Sequence, residues 1–368
     1  MAAACLPPVR VWFNKSFSSV HEILRQLRRD WGSGLFLIGS HTESDFGPLT
    51  ACDLAELEPV GLQEATYVDW CLNFCSEHRV DVFVPGRMRE VIADHQDEFH
   101  ARGTKLIVAA NGAILRLLED KGRMLDEVPA GVAVHRYHRV RTWDDFSAAC
   151  DQLECEGLRA CFKPARGTYG LGFHILDEAM TPLKRLLRSE VHRISKIELQ
   201  AVLANSDSFP ELLVMEYLDG SEFSVDVLGS QGEVMAMVCR RKPMNGHVRL
   251  TGTSRTIRVA EGQSQTLAKE PEIEQMVQLL ARHFRLGGVF NVQFRARAEQ
   301  PERPYLLEIN GRISGGLPYV NLSGINLPLL AIQIALCGPN EPLPEIPVPS
   351  LPLRVQERSE VFIMPSQS

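Results

Sequence analysis

Along the first hundred residues, strand-like and helix-like patterns of apolar positions alternate. Val9-Arg10-Val11-Trp12-Phe13 reads as a strand, and Ser18 to Arg29 follows as a helix with Val20, Ile23, Leu24 and Leu27 on one face. The alternation continues with a strand from Leu35 to Gly39 and a helix from Tyr67 to Glu77. A strand from Asp81 to Val84 ends at Pro85-Gly86, and Met88 to His100 (helix) and Lys105 to Ala109 (strand) complete it. Such alternation predicts a parallel sheet covered on both faces. No G-x-G-x-x-G follows any of these strands, so this unit is expected to support or bind substrate rather than to be the main nucleotide site.

Past residue 110 the pattern changes. Asn111 to Leu125 is expected to be helical and Val134 to Val140 a strand, with Trp143 to Leu153 a helix capped by Thr142. Leu158 to Pro164 reads as a strand, Ala165 to Phe173 as a glycine-rich turn into another strand, and 178–204 as mostly helical. Leu212 to Leu218 is a buried strand, and Glu222 to Leu228 with Glu233 to Arg240 forms a hairpin. A basic loop from Lys242 to Arg255 leads to a strand at Thr256 to Val259, and a helix covers 270–285. Gly287 to Phe294 and Tyr305 to Arg312 both alternate with period two across a polar turn near Glu299 to Arg303, which predicts an antiparallel hairpin. Its alternation puts Asn291 and Gln293 on one face of the first strand, and Leu306, Glu308 and Asn310 on one face of the second. Ser323 to Cys337 reads as helical after an initial turn, 339–353 as a proline-rich connector, and Arg354 to Ile363 as a last strand.

Composition narrows the classes. The 368 residues are 45% hydrophobic, enough for two or three packed units. A net charge of −7 gives nucleic-acid binding no global electrostatic support. The cysteines at 5, 52, 71, 75, 150, 155, 161, 239 and 337 are odd in number and scattered, which reads as core packing in a reducing compartment. With no signal-like segment and no membrane-length apolar run, a cytoplasmic protein without membrane or nucleic-acid partners is expected.

Three segments carry candidate chemistry. In the C-terminal hairpin Gln293, Glu308 and Asn310 are hard oxygen donors suited to Mg²⁺, and Arg312 is a fork of donors for a phosphate. Lys163, followed by Gly167, Thr168, Gly170 and Gly172, reads as a flap whose backbone can bend over phosphate oxygens. Glu216, Tyr217 and Leu218 end a buried strand and can offer backbone groups to an adenine edge, with Glu222 near a ribose. Each segment also fits a plain hairpin or strand end with solvated polar residues. Their order along the chain, beginning with Lys121, makes the case.

That order resembles the ATP-grasp superfamily from about Lys121 to Leu330, and Gln293 with Glu308-x-Asn310-x-Arg312 is similar to carbamoyl-phosphate synthetase. The single-unit chain also looks like bacterial carboxylate–amine ligases, including the stand-alone branch found with tellurite-resistance genes. The resemblance implies an α/β (α+β) fold in which a parallel pre-ATP-grasp domain (1–110) and a linking helix and strand (111–142) come first. A lid subdomain (143–216) with a glycine-rich lid, a catalytic subdomain (217–345) and a C-terminal connector and strand (346–368) follow. It further implies ATP contacts from Lys121, Lys163, the Gly167–Gly172 lid, Glu216, Tyr217, Leu218 and Glu222. Mg²⁺ would be held by Gln293, Glu308 and Asn310, and Arg312, Lys163 and Arg255 would serve catalysis.

The implied reaction is ADP-forming: a carboxylate becomes an acyl phosphate and is joined to an amine. A carboxyphosphate- or carbamoyl-phosphate-forming enzyme, a peptide- or protein-modifying ligase and an ATP-binding sensor are the rivals. Lys242, His247, Arg249, Arg255 and Arg258 form a basic stretch that, with Ser314-Gly315-Gly316, suggests an acidic substrate. Small-molecule carboxylate and amine partners are expected, and a homodimer is left open.

Overall fold

The computed structural model of the protein describes residues 7–167, 171–188, 192–205, 209–242, 264–338 and 341–356. The chain begins with β1 (Val9–Phe13), α1 (Val20–Trp31), β2 (Leu35–His41), β3 (Leu54–Leu57), α2 (Glu64–Glu77), β4 (Val82–Val84), α3 (Arg89–Asp94), α4 (Gln96–Ala101) and β5 (Lys105–Leu106). These strands form a parallel sheet in the order β3-β2-β1-β4-β5, as the alternation predicts. The predicted helix face of Val20, Ile23, Leu24 and Leu27 is the buried face of α1. Three details depart from the sequence reading. β3 is an added edge strand with a half-buried, weakly patterned sequence, the expected 88–100 helix breaks at His95, and β5 is only two residues long.

The next stretch comprises α5 (Gly112–Glu119), α6 (Lys121–Asp126), β6 (Tyr137–Val140), α7 (Trp143–Cys155), β7 (Ala160–Pro164), β8 (His174–Leu176), α8 (Pro182–Arg188), β9 (Arg193–Ile194), α9 (Lys196–Ala204) and β10 (Leu212–Glu216). Its sheet has the order β6-β10-β7-β8-β9. Thr142 caps α7 by accepting from the Asp145 amide at 3.1 Å, as predicted. The helix expected over 111–125 is instead two. Asp120 leaves helical geometry and caps α6 through the Arg123 amide, which turns Lys121 toward the glycine-rich segment. The 178–204 stretch is two helices separated by β9.

The third sheet is built from β11 (Glu222–Ser230), β12 (Glu233–Lys242), β13 (Ser264–Ala268), β14 (Gly288–Arg297), β15 (Gln300–Asn310) and β16 (Leu353–Gln356). It is antiparallel in the order β15-β14-β11-β12-β13-β16. With it go the helices α10 (Pro271–His283), α11 (Leu317–Asn321) and α12 (Leu327–Leu336). Both predicted hairpins are present. The predicted loop beyond Lys242 and the strand at Thr256 to Val259 lie outside the described residues, as does the last predicted strand past Gln356.

Two cores fix how the parts meet. Phe223, Val225, Phe290, Val292 and Phe294 on one face of the third sheet pack with α10 and with Leu213 and Met215 of the second sheet. Leu330 and Ile332 of α12 pack with Val11, Leu37 and Val82 of the first sheet and Val238 of the third. One face of the third sheet is therefore apolar, whereas on the other the polar positions gather toward one end, beside an apolar patch that includes Leu228, Val238 and Val289.

Candidate active site

The polar face of the third sheet is set by register. Gln293 lies opposite both Ser224 and Glu308, and Asn291 opposite both Asp226 and Asn310. Directly opposed residues in an antiparallel pair point the same way, so these side chains share one face. A register shift follows Gln293, so that Leu306 rather than Leu307 opposes Phe294. Leu306 is consequently on the apolar face and fully buried, not beside Glu308 as strict alternation predicts. Asn310 Nδ2 donates to Glu308 Oε1 at 2.9 Å, Arg312 Nη2 to Asn310 Oδ1 at 3.4 Å, and Gln293 Nε2 to Asn291 Oδ1 at 3.4 Å.

Two lysines approach this cluster from the second sheet's side. Lys121 is the first residue of α6; its amide donates to the Ala165 carbonyl, and its ammonium donates to the Gly167 carbonyl. The same ammonium lies 4.0 Å from Glu308 Oε2. Lys163 stands on β7, opposite Leu213. Burial pushes its ammonium below the usual lysine range; Glu308 opposes that shift and Lys121 adds to it, which places all three in one electrostatic neighbourhood. Gly172, at the far end of the glycine-rich segment, has φ 76°, and a Cβ there would meet Pro164 Cδ at 2.7 Å. Only glycine fits that turn. Thr168 and Gly170, between these points, lie outside the described residues, and so does Arg255 with the rest of the basic loop.

Glu308 thus sits beside Lys121 and Lys163, and Asn310 links it to Arg312, with Gln293 opposite. Among the described residues no group of three or more His, Cys, Asp or Glu could hold a metal ion. Glu308 and the amide oxygens of Gln293 and Asn310 are a hard donor set too small to saturate Mg²⁺. They fit an ion that brings phosphate oxygens and water with it.

Residues 208–361 match the family described as ATP-grasp in the biosynthetic pathway with Ter operon. The chain carries an ATP-grasp fold. Solved structures with the same architecture include the biotin carboxylase domain of the Hydrogenobacter thermophilus 2-oxoglutarate carboxylase, in complex with MgADP, ADP and bicarbonate. Its TM-score is 0.58 and its identity 16%, over 89% of this chain and 69% of that one. An L-amino acid ligase from Bacillus licheniformis matches with TM-score 0.58 and 14% identity, over 90% of this chain and 75% of that one. In sequence, human carnosine synthase 1 is 34% identical over 143 residues, 37% of this chain and 16% of that protein. The chain therefore aligns with only a minor part of that relative.

The expected nucleotide edge is only partly free to act as read from sequence. Glu216 is buried and its carboxylate is paired with Arg297, whose Nη2 is 3.0 Å from Oε2, so its side chain is engaged away from any base. Its backbone amide donates to the Arg136 carbonyl and the Tyr217 amide to the Arg159 carbonyl. The Tyr217 ring has Arg159 at 5.2 Å and Arg295 at 5.7 Å. Leu218 is buried. Glu222 is paired with Lys242 at 2.6 Å. Burial disfavours its charge, but Lys242 with Arg295 and Arg240 holds its carboxyl below the usual range.

The sequence reading assigned no role to a buried network beneath the cluster. Arg240 donates to Asp226 at 3.1 Å, Gln265 at 3.0 Å and Ser224 at 2.8 Å. Asn291 Nδ2 donates to Ser224, to the Val225 carbonyl and to Asp226, while its Oδ1 accepts from Gln293. A Cβ on Gly316 would lie 2.0 Å from Arg240 Cζ, so the Ser314-Gly315-Gly316 turn closes directly over the guanidinium. The available signal was the alternation of Glu222, Ser224 and Asp226 through an otherwise apolar strand. His135 was also passed over: it is 3% exposed and neither ring nitrogen has a partner. Burial and then Lys163 push its pKa down to about 4.

Proposed function

We propose that the protein is an ATP- and Mg²⁺-dependent, ADP-forming ligase that joins a small-molecule carboxylate to an amine. The observation that carries this reading is the convergence of Lys121 and Lys163 on Glu308, which Asn310 links to Arg312, with Gln293 opposite. Phosphoryl transfer asks a protein mainly for positioning and charge neutralisation, which such a cluster can supply. In this proposal Lys121 and Lys163 bind the ATP phosphates, and the segment from Gly167 to Gly172 covers them. The backbone of Glu216 to Leu218 meets the adenine, and Glu222 the ribose. Gln293, Glu308 and Asn310 would hold Mg²⁺, which when bound neutralises phosphate charge.

Arg312 faces the γ-phosphoryl group in flight. A substrate carboxylate oxygen attacks the γ-phosphorus, the bond to the ADP oxygen breaks, and ADP leaves with the electron pair. The amine then forms the C–N bond by displacing phosphate, and its proton passes to phosphate or water. The boundaries 1–110, 111–142, 143–216, 217–345 and 346–368 are proposed as the units that cooperate in this. A cytoplasmic setting is part of the same reading. Among the described residues no helix is long and apolar enough to cross a membrane, and no described cysteine is in a disulfide.

Release of ADP and phosphate, screened over amino acids, dipeptides and bicarbonate with mass spectrometry of products, tests the proposal. Turnover that requires a carboxylate and an amine together is the expected result. Turnover with bicarbonate alone would replace the proposal by a carboxyphosphate-forming reaction. Nucleotide binding without turnover under any pair would replace it by a sensor.

A further inference from the structure

Asn291 is buried on β14, between β11 and β15 in the third sheet. Its Nδ2 donates to Ser224 at 3.0 Å, to the Val225 carbonyl at 3.1 Å and to Asp226 Oδ1 at 3.0 Å. A backbone carbonyl can only accept, so the nitrogen of this amide faces β11 and its oxygen faces away. Asp226 is held in turn. Its Oδ2 accepts from Arg240 Nε at 3.1 Å, and an arginine can only donate. Both side chains of that ion pair are buried.

The direction set at Arg240 passes outward along this chain of bonds. The Asn291 oxygen needs a donor, and Gln293 Nε2 supplies it from 3.4 Å. With its nitrogen turned to Asn291, Gln293 has its Oε1 left to offer on the side where the register sets it opposite Glu308. A glutamate at 293 would bring an oxygen against the Asn291 oxygen, and a buried acceptor would lose its bond. It would also set a second carboxylate opposite Glu308, and like charges directly opposite are destabilising.

We infer that Asn291, locked by Asp226 and Arg240, is a positioning residue that fixes the amide of Gln293 with its oxygen outward. The site is built for an amide at 293 and selects against an acid there. This rests on the ligase reading for the Mg²⁺ that the oxygen would meet; the direction of the hydrogen bonds stands on the sheet alone. Groups that orient a metal ligand typically change metal affinity by roughly tenfold or more when they are replaced.

Two measurements on the full chain test the inference. The first uses melting temperatures without nucleotide or metal. Gln293→Glu is made in wild type, in Asn291→Ser, whose hydroxyl can donate or accept, and in Asp226→Asn, which puts a donor where the Asn291 nitrogen needs an acceptor. The lysines near Glu308 act in all three backgrounds, so the comparison isolates the relay. The change on Gln293→Glu should be less favourable in wild type than in either background, by roughly 2–4 °C for one hydrogen bond. Equal changes in every folded background overturn the inference. The second measurement is calorimetric titration with ADP, with and without Mg²⁺. Asp226→Asn should lose the gain in affinity that Mg²⁺ gives wild type, as Gln293→Ala does, and keep the metal-free affinity. A merely structural role would lower both affinities together, and that result, or an unchanged gain, overturns the positioning role. A wild type whose ADP affinity does not respond to Mg²⁺ overturns the metal assignment in the ligase reading, while the melting temperatures still decide the relay.

Discussion

The Lys121 ammonium donates to the Gly167 carbonyl and lies 4.0 Å from Glu308 Oε2, so one side chain ties the root of the glycine-rich segment to the C-terminal hairpin. Glu308 also holds up the charge of half-buried Lys163. The carboxylate is therefore poised to stabilise both ammonium groups in the same cluster.

That relationship predicts a pH dependence. Lys163 must be charged to bind phosphate, and its pKa is depressed by burial and by Lys121 against the opposing pull of Glu308. Nucleotide affinity should therefore fall as pH rises through the Lys163 pKa. Glu308→Gln removes the group that raises this pKa, so the fall should begin at a lower pH than in wild type. ADP affinity measured by calorimetry across a pH series, without added metal, checks this. Superimposable profiles would remove Glu308 from the electrostatics of Lys163.

Glu308 and Arg312 should separate binding from chemistry. Glu308→Ala is expected to weaken Mg²⁺–ATP binding and turnover together. Arg312→Ala should leave ATP affinity largely intact and lower kcat by about a hundredfold, the typical effect of removing one donor aimed at developing charge. ATP calorimetry beside ADP release with the best substrate pair is the measurement. Wild-type turnover in both folded variants would show that this cluster is not the catalytic one.

His135 predicts an acid-sensitive fold. Its pKa is pushed from 6.5 down to about 4 by burial and by Lys163. Above pH 6.5 neither state is protonated and the residue adds no pH dependence. Between pH 6.5 and about 4 the unfolded chain takes up a proton that the folded chain does not, so stability falls as pH falls. The full effect is about 3 kcal/mol at one pH unit per 1.4 kcal/mol. His135→Phe should flatten the denaturant midpoint over this range. A variant whose stability falls as steeply as wild type would place the proton elsewhere.

The Gly316 turn and Arg240 should be energetically coupled. Gly316→Ala forces a Cβ to 2.0 Å from Arg240 Cζ, and the guanidinium is pinned by Asp226, Gln265 and Ser224. Displacing it breaks a buried ion pair, which costs about 3–5 kcal/mol when one partner is lost. In an Arg240→Met background the added methyl should cost far less, giving a coupling of at least about 1 kcal/mol in a double-mutant cycle by chemical denaturation. Strict additivity would mean that the turn yields to the methyl instead of the arginine.

The sequence by itself determined the elements whose pattern is local. The β1 and α1 periodicities, the Thr142 cap, both C-terminal hairpins and the shared face of Asn291 and Gln293 all depend on residues a few positions apart, and the structure contains each of them. The order of Lys121, the glycine-rich segment and the Glu308-x-Asn310-x-Arg312 strand end was likewise enough to point to the ATP-grasp fold. Tertiary structure decided what depends on partners far along the chain. The register shift after Gln293 sent Leu306 to the apolar face, because a single extra residue reverses every later side chain. Arg297, eighty-one positions away, claimed the Glu216 carboxylate. Asp120 broke a helix that periodicity alone would continue, since its side chain caps the next turn and its neighbour Lys121 binds Ala165 and Gly167. Periodicity reports which face a residue takes, whereas the partner on that face is set by chain topology.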